Sequence, residues 1–388
     1  MSEENSVQQL VARSMNRSEW IEIQLLNEND NVVSSFTGIA TGGSITLTNG
    51  DSSNFCRLSG NLELKLTSDV SDDYFKINLK NKCKVFKCVR DNGTKYEAKY
   101  NLGIALMNNP QISRSNDENK LTVELSDLFN RYNGTFGGSI DNKVKIEAGG
   151  KLVEVLKDIA TNSIFMGLNG NKVLIENNDY EIPYDIEVDA GSNISDLLSK
   201  LMELYLGYEL FFNQDGVLIY QKIKDYSTDI PIEILDNSPI VTSYSEKKNF
   251  ENVRNKVTVL GAINDSDDAS NTTYQYLYTA TLDKSHPFSK ESLNEERKLV
   301  ITNDKDTNND MCKTEAEYNL ELHNNYANVL NLTMGANYRL IPNRIIEVKY
   351  KDDNLTIDGR YLITTVNINL VNGELMSLEC NKMYNAKA

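Results

Sequence analysis

Histidine is almost missing from this chain: His286 and His323 are the only two in 388 residues. Two imidazoles far apart in sequence cannot build a His-rich metal site, and no paired-cysteine motif supplies the remaining ligands. His286 precedes Pro287 in a polar stretch and His323 falls in a helical one, so both are expected to pack or to face solvent. Cysteine is scarce and odd in number. Cys56, Cys83, Cys88, Cys312 and Cys380 are scattered, which argues for reduced, partly buried thiols and against a disulfide framework. Cys83 and Cys88 fit no zinc-knuckle spacing, and in a strand their odd separation places them on opposite faces. No apolar run approaches the roughly 20 residues that span a bilayer. The opening residues, with Glu3 and Glu4, lack the apolar core of a signal peptide, so synthesis in a cytoplasm and no membrane insertion are expected.

Catalytic signatures are wanting too. Gly42-Gly43-Ser44 lacks the following glycine of a nucleophile elbow. Gly149-Gly150-Lys151 lacks the first glycine of a phosphate loop and has Leu152 where a hydroxyl would hold magnesium. Glu295-Glu296 lies in a charged segment with no aromatic or glycine-framed cleft around it. No catalytic, cofactor-binding or metal-ligating set is therefore assigned. Basic residues are outnumbered 40 to 56, a net charge of −16. Such a surface repels phosphate, so specific nucleic-acid binding is not expected.

What is present is alternation. Ile21, Ile23 and Leu25 alternate with Glu22 and Gln24; Ile45 and Leu47 with Thr46 and Thr48; Leu62, Leu64 and Leu66 with Glu63 and Lys65. These read as half-buried antiparallel strands. Leu121, Val123 and Leu125 continue the pattern. Asn49-Gly50 and Asn92-Gly93 supply residues tolerant of positive φ for tight hairpins. A short amphipathic arm (Val7, Leu10, Val11, Met15) precedes these strands at residues 1–18. The first β-barrel is expected over 19–143, ending after the glycines at 134, 137 and 138.

Residues 144–229 read as a small α+β domain. Leu152, Val155, Leu156 and Ile159 make one amphipathic helix. A second opens after Ser192-Asn193 with Asp196 in its first turn, carries Ile194, Leu197, Leu198, Leu201 and Tyr205, and stops at Gly207. Hairpins are expected at Asn169-Gly170 and Asp215-Gly216. A second β-barrel follows over 230–388, interrupted by one helix near 314–329, where Thr314 and Glu317 have capping-box spacing. In it Leu362, Val366, Ile368 and Leu370 line one face before a turn at Asn372-Gly373. The fold class is thus mainly β with an α+β insert: two antiparallel barrels flanking a small α+β domain. Asp304, Asp306, Asn308, Asp310 and Glu315 match EF-hand loop positions 1, 3, 5, 7 and 12, with Asn309 at the glycine position. Because Lys298–Thr302 reads as a strand, the entering helix is missing, and a solvated loop leading into a helix is the preferred reading.

Three segments carry a family resemblance: "IPYDIEVDAGSNISDLLSKLMELYLGYELFFN" from Ile182, "YSEKKNFENVRNKVTVLG" from Tyr244, and Tyr338–Met383, from "YRLIPNRIIEVKY" through "IDGRYLITTVNINLVNGELMSLECNKM". In order and pattern the chain resembles the hub proteins of phage baseplates, particularly those of contractile tails in low-GC Gram-positive hosts. The resemblance implies a homotrimer that adapts a sixfold tail tube to a threefold spike and lines the central channel. Its implied partners are the tail tube protein, the central spike, a wedge or LysM-type tail protein and the tape measure protein, in a phage virion or a tailocin. It implies no catalytic residues and no cofactor. Other hubs carry an added peptidoglycan hydrolase domain, for which the pattern here leaves no room. The alternatives are a distal-tail or wedge protein and, from another class, a wall-degrading or carbohydrate-active enzyme.

Overall fold

Alternation along the first strands closes into a ring. The computed structural model describes residues 7, 8, 11, 12, 14, 16–50, 55–67, 82–115, 119–168, 172–237, 239–264, 274–325, 327–351 and 356–384. Strands β1 (Arg17–Leu26), β2 (Val32–Thr48), β3 (Leu58–Leu66), β4 (Lys82–Asp91), β5 (Glu97–Arg114) and β6 (Asn119–Ser126) come first. They lie in the order β1-β4-β5-β6-β3-β2, and β2 pairs back onto β1, so six strands form a closed antiparallel ring. Ile21, Ile23, Leu62, Leu64 and Leu121 point inward and are fully buried, each such side chain contributing about 1.5–3 kcal/mol of transfer free energy. Val11 and Ala12 of the arm are helical and buried against this core, where the Tyr100 hydroxyl donates to Gln8 O at 2.8 Å. Leu10 and Met15 lie outside the described residues.

The hairpin expected at Asn92-Gly93 joins β4 to β5, but its left-handed residue is Lys95 (φ 65°). The Asp91 carboxylate accepts from Thr94 N at 2.7 Å and sets that geometry. Asn49-Gly50 does not close a tight hairpin. Gly50 has φ 64°, yet β3 resumes only at Leu58, so the pair opens a longer connection.

Next come β7 (Val144–Ile146), α1 (Leu152–Thr161), β8 (Val173–Ile175), β9 (Ile186–Val188), α2 (Ile194–Met202), β10 (Tyr208–Phe212) and β11 (Leu218–Lys222). Leu152, Leu156 and Ile159 are the buried stripe of α1. A reciprocal Asn193–Asp196 capping box opens α2. This helix ends at Met202, so Tyr205 is buried beyond it and Gly207 (φ 89°) leads into β10 instead of capping α2. Gly216 (φ 74°) makes the β10–β11 turn as expected; Asn169-Gly170 lies outside the described residues. This region shares one core with Phe55, Leu128, Phe129 and Tyr132, at the exit of the first ring.

Last come β12 (Glu233–Asp236), β13 (Val241–Lys248), β14 (Lys256–Asn264), β15 (Tyr274–Thr281), α3 (Lys290–Leu293), β16 (Lys298–Thr302), α4 (Asn309–Asn325), β17 (Asn328–Gly335), β18 (Ile345–Lys351), β19 (Thr356–Asn369) and β20 (Leu375–Met383). Strands β14, β15 and β16 form their own sheet, packed on α4 through Val257, Val259, Cys312, Ala316 and Leu320. Helix α4 begins at Asn309, not near Thr314. Asn308 Oδ1 accepts from Met311 N at 2.9 Å and supplies the cap, which leaves Thr314 inside the helix. The Leu362 expectation also fails: a bulge between Ile363 and Thr365 shifts the register, so Tyr361, Ile363, Val366 and Ile368 face the core and Leu362 does not. Gly373 (φ 81°) turns the chain into β20 as expected.

The remaining strands lie in the order β12-β18-β19-β20-β17-β13. Counted by appearance, both rings read first, fourth, fifth, sixth, third, second. Two differences stand out. Strand β12 runs parallel to β18, whereas β1 is antiparallel to β4. Among the described residues no backbone pairing joins β12 to β13, so the second ring is open where the first is closed.

Candidate functional site

Two β rings in one chain need a joint, and the joint is the most constructed place in the molecule. Residues Ser44–Thr48 of β2 pair antiparallel with Thr365–Asn369 of β19, which makes one twelve-stranded sheet. Period two puts Ile45, Leu47, Val366 and Ile368 into a core shared by both rings. On the outer face Thr46 Oγ1 donates to Asn367 Oδ1 at 2.7 Å. Strand β2 bends from one ring to the other at a bulge between Ala40 and Gly42. Gly43 there has φ 99°, and a Cβ would lie 2.3 Å from Asn61 O, so only glycine fits.

A buried charge clasp locks the joint. Glu19 and Lys87 occupy inward positions of β1 and β4, with Lys87 Nζ 2.9 Å from Glu19 Oε2. Arg17 Nε lies 2.6 Å from Glu19 Oε1, and the Tyr338 hydroxyl donates to Glu19 Oε2 at 2.8 Å. Lys87 also donates to Leu370 O at 2.8 Å and to Asn372 Oδ1 at 3.2 Å, and Asn372 Nδ2 donates to Glu19 O at 2.9 Å. The first ring thereby holds the β19–β20 turn and the segment after β17. Burial works to raise the Glu19 pKa, but Lys87, Arg17 and Tyr338 outweigh it and hold the carboxyl below its usual value. Burial lowers the Lys87 pKa while Glu19 opposes it. An anion and two oxygen acceptors around the ammonium favour its charged form against that burial.

A second clasp ties the mixed region to the first ring. Arg57 Nη2 lies 2.6 Å from Glu209 Oε2, and Gln221 Nε2 donates to Glu209 Oε1 at 2.6 Å. The guanidinium sits 3.3 Å above the Phe211 ring centroid. Asp127 accepts from the backbone amides of Arg57, Leu58 and Phe129. Burial raises its pKa to about 6 even so. Arg360 of β19 donates to Ser227 O and Asp229 O and fastens the connection into the second ring.

The chemistry-bearing residues weighed in the sequence do not converge. Cys83 faces the core and Cys88 the opposite side of β4. Burial pushes the Cys56 and Cys83 thiols up to about 12 and those of Cys88 and Cys312 to about 11, with Cys380 also raised, so all stay protonated and poorly nucleophilic. His286 Nδ1 accepts from Phe288 N at 3.1 Å, and its ring packs on Phe288 and Tyr384. His323 lies on α4, its pKa lowered by burial and by Arg254. Glu296 is met by Lys256, Lys290 and Lys298, and Glu295 by Arg297, so this pair is a charged surface patch. Gly42-Gly43-Ser44 is the β2 bend, and Lys151 after Gly149-Gly150 pairs with Glu181 at 2.9 Å.

The EF-hand spacing is dismantled by the early start of α4. Asn308 caps that helix and donates to the Tyr205 hydroxyl at 3.3 Å. Asp310 borders a different place, a cleft of about 420 Å³ between α4, the mixed region and the second ring. Asp306 and Glu315 do meet, bridged by Asn303 Nδ2 at 3.0 and 3.1 Å. Burial, with Glu315 adjoining, raises the Asp306 pKa to about 8. Among the described residues no group of three or more His, Cys, Asp or Glu side chains could hold a metal ion.

The seam and the clasp were missed from sequence, although the clasp left a signal. Glu19 and Lys87 are charged residues at positions where the alternation of Ile21-Ile23-Leu25 and Val85-Val89 calls for apolar ones.

No protein-family model matches the chain, and no curated protein does. Solved structures do. The 43 kDa tail protein of prophage MuSo2 from Shewanella oneidensis superposes with a TM-score of 0.56 at 16% identity, over 95% of this chain and 100% of that one. A tail protein from Neisseria meningitidis gives 0.57 at 14% identity, over 93% and 96%. A prophage tail protein from Listeria monocytogenes gives 0.50 at 11% identity, over 94% of both chains. The double-ring architecture built up above is thus a fold shared with these solved tail proteins over more than nine tenths of the chain.

Proposed function

We propose that this chain is the hub of a phage-type tail tip, a structural adaptor and not an enzyme. The observation that carries the reading is the repeated strand order: one chain presents two six-stranded rings built on the same plan. Three such chains set six rings around one axis and keep only threefold symmetry overall. That is what a sixfold tube and a threefold spike require of a part between them. The tail-protein fold supports this reading, as do thiols held protonated and histidines engaged in packing. The tube protein, the spike, a wedge or LysM-type protein and the tape measure protein are the proposed neighbours, in a virion or a tailocin. Part of the net charge of −16 is proposed to face the bore, where it keeps passing DNA from adhering.

Imaging of intact tail tips tests this. The expected result is three copies, at three times the 43.8 kDa chain mass, with the two rings of each superposing about a sixfold pseudo-axis. Six copies per tip would transfer the chain to a distal-tail or wedge role. Clearing of cell walls by the pure protein would overturn the non-enzymatic reading.

A further inference from the structure

The seam inside the chain predicts the contact between chains. We propose that the edge of β13 and the C-terminal edge of β5, both open among the described residues, pair antiparallel between neighbouring copies and repeat the β2–β19 joint. The inference rests on the three-copy reading above and deepens it.

The seam joins the second strand of the first ring to the fifth strand of the second. A rotation that carries the first ring onto the second carries the second onto the first ring of a neighbour. The same contact then falls between the second strand of the second ring, β13, and the fifth strand of the neighbour's first ring, β5.

Both edges have the features this demands. Pairing of β18 with β19 stops at Ile345–Leu362, and the remainder of β19 is released to the seam. Pairing of β4 with β5 stops likewise at Lys82–Leu106. Beyond it, among the described residues, Asn109–Arg114 is paired only to β6 and is exposed throughout. A bulge precedes the seam residues of β19, between Ile363 and Thr365, and a bulge also precedes the corresponding residues of β5, between Asn108 and Gln111. Ile112, beyond the bulge, is 38% exposed, an apolar side chain on a strand with an open edge. Strand β13 pairs, among the described residues, only with β17. Edges of this kind invite another strand unless something covers them.

The register follows from the shared plan. Gly60 of β3 pairs with Ile45 and Leu125, and Leu330 of β17 pairs with Glu246 and Cys380, so Glu246 holds the place of Ile45. Asn367 pairs with Ser377 and Gln111 with Thr122, next to the inward Met376 and Leu121, so Gln111 holds the place of Asn367. The seam pairs Asn367 with Thr46, Ile368 with Ile45 and Asn369 with Ser44. Between copies these become Gln111 with Lys247, Ile112 with Glu246, and Ser113 with Ser245.

Directly opposed residues in an antiparallel pair bring their Cα atoms to about 4.5–5.5 Å, within disulfide range. The test is the full chain carrying Ser113→Cys and Ser245→Cys, oxidised and run without reductant, beside its mass in solution. Covalent dimers and trimers are expected, lost in the single variants. They should also fade with Ser113→Cys plus Ser243→Cys, where the diagonal spacing grows to about 7–8 Å. Ile112→Asp, solvent-exposed in the single chain, should leave folding intact and abolish the trimer. A trimeric sample that does not cross-link overturns this seam and leaves the three-copy reading standing. A chain that stays monomeric at its highest soluble concentration also overturns the seam, while the symmetry of the tail tip still decides the hub reading separately.

Discussion

The first ring closes through the β1–β2 pairing. The second has the same strand order but leaves a gap beside β13, spanned by Tyr244 stacked on Tyr350 at 4.2 Å. It also admits the β14–β16 sheet and α4 between its second and third strands, where the first ring has only the connection from Asn49 to Arg57. The comparison teaches that strand order and closure are separable. The first ring closes along β1–β2 and keeps edges only where β2 and β5 run past their neighbours, whereas the second leaves β13, among the described residues, paired on one side alone.

The sharpest way to break the comparison is at the clasp. Lys87→Met removes the ammonium from the buried Glu19, leaving it Arg17 and the Tyr338 hydroxyl, and should cost about 3–5 kcal/mol in denaturant unfolding. A loss below about 1 kcal/mol, the scale of an exposed ion pair, would mean the first ring does not depend on it. Next is pH. Burial raises both Asp127, to about 6, and Asp306, to about 8, from 3.8. Protons held by the folded form are released on unfolding, so these groups contribute stability that is full below pH 4 and is lost as pH rises through the folded pKa. Asp127→Asn should flatten the decline between about pH 4 and 6 at the first ring. Asp306→Asn should flatten the part between about 6 and 8, read by exchange of α4 amides. A decline unchanged by both would remove the assignment. A smaller effect belongs to the second ring's own inward pair, Tyr361 donating to Glu246 at 3.2 Å. Tyr361→Phe should cost about 1 kcal/mol, and amide exchange should begin in β12 and β13 before β1 and β2; equal protection would mean the gap is closed. The smallest effect is none: millimolar calcium should not move Tm, whereas a site filled at 100 times its Kd would add about 2.7 kcal/mol.

Local rules were legible in the sequence where one short segment decides the outcome. The Asn193 N-cap with Asp196 in the first turn, the α1 stripe and the turns at Gly216 and Gly373 all formed as expected. Reading failed wherever an irregularity of one residue intervened. The bulge at Ile363–Thr365 turned Leu362 outward, Asp91 moved the left-handed residue from Gly93 to Lys95, and Asn308 capped α4 ahead of Thr314. The seam was beyond reach for a different reason. No pattern in β2 specifies that Ile45 will meet Ile368, because alternation fixes a strand's face but not its partner.

That pairing has a consequence for synthesis. The strands of the first ring lie within residues 17–126, so this ring can form while the rest of the chain is still being made. Its edge at Ser44–Thr48 must then wait for Thr365–Asn369. At about 5–20 residues per second the delay is on the order of 12–50 s. During it a nascent chain shows an apolar, untenanted strand to every neighbour on the same message. Two nascent chains close together could exchange C-terminal halves, each lending its β19 to the other's β2. Slowed translation past the first ring should lengthen that window and raise the yield of such swapped dimers.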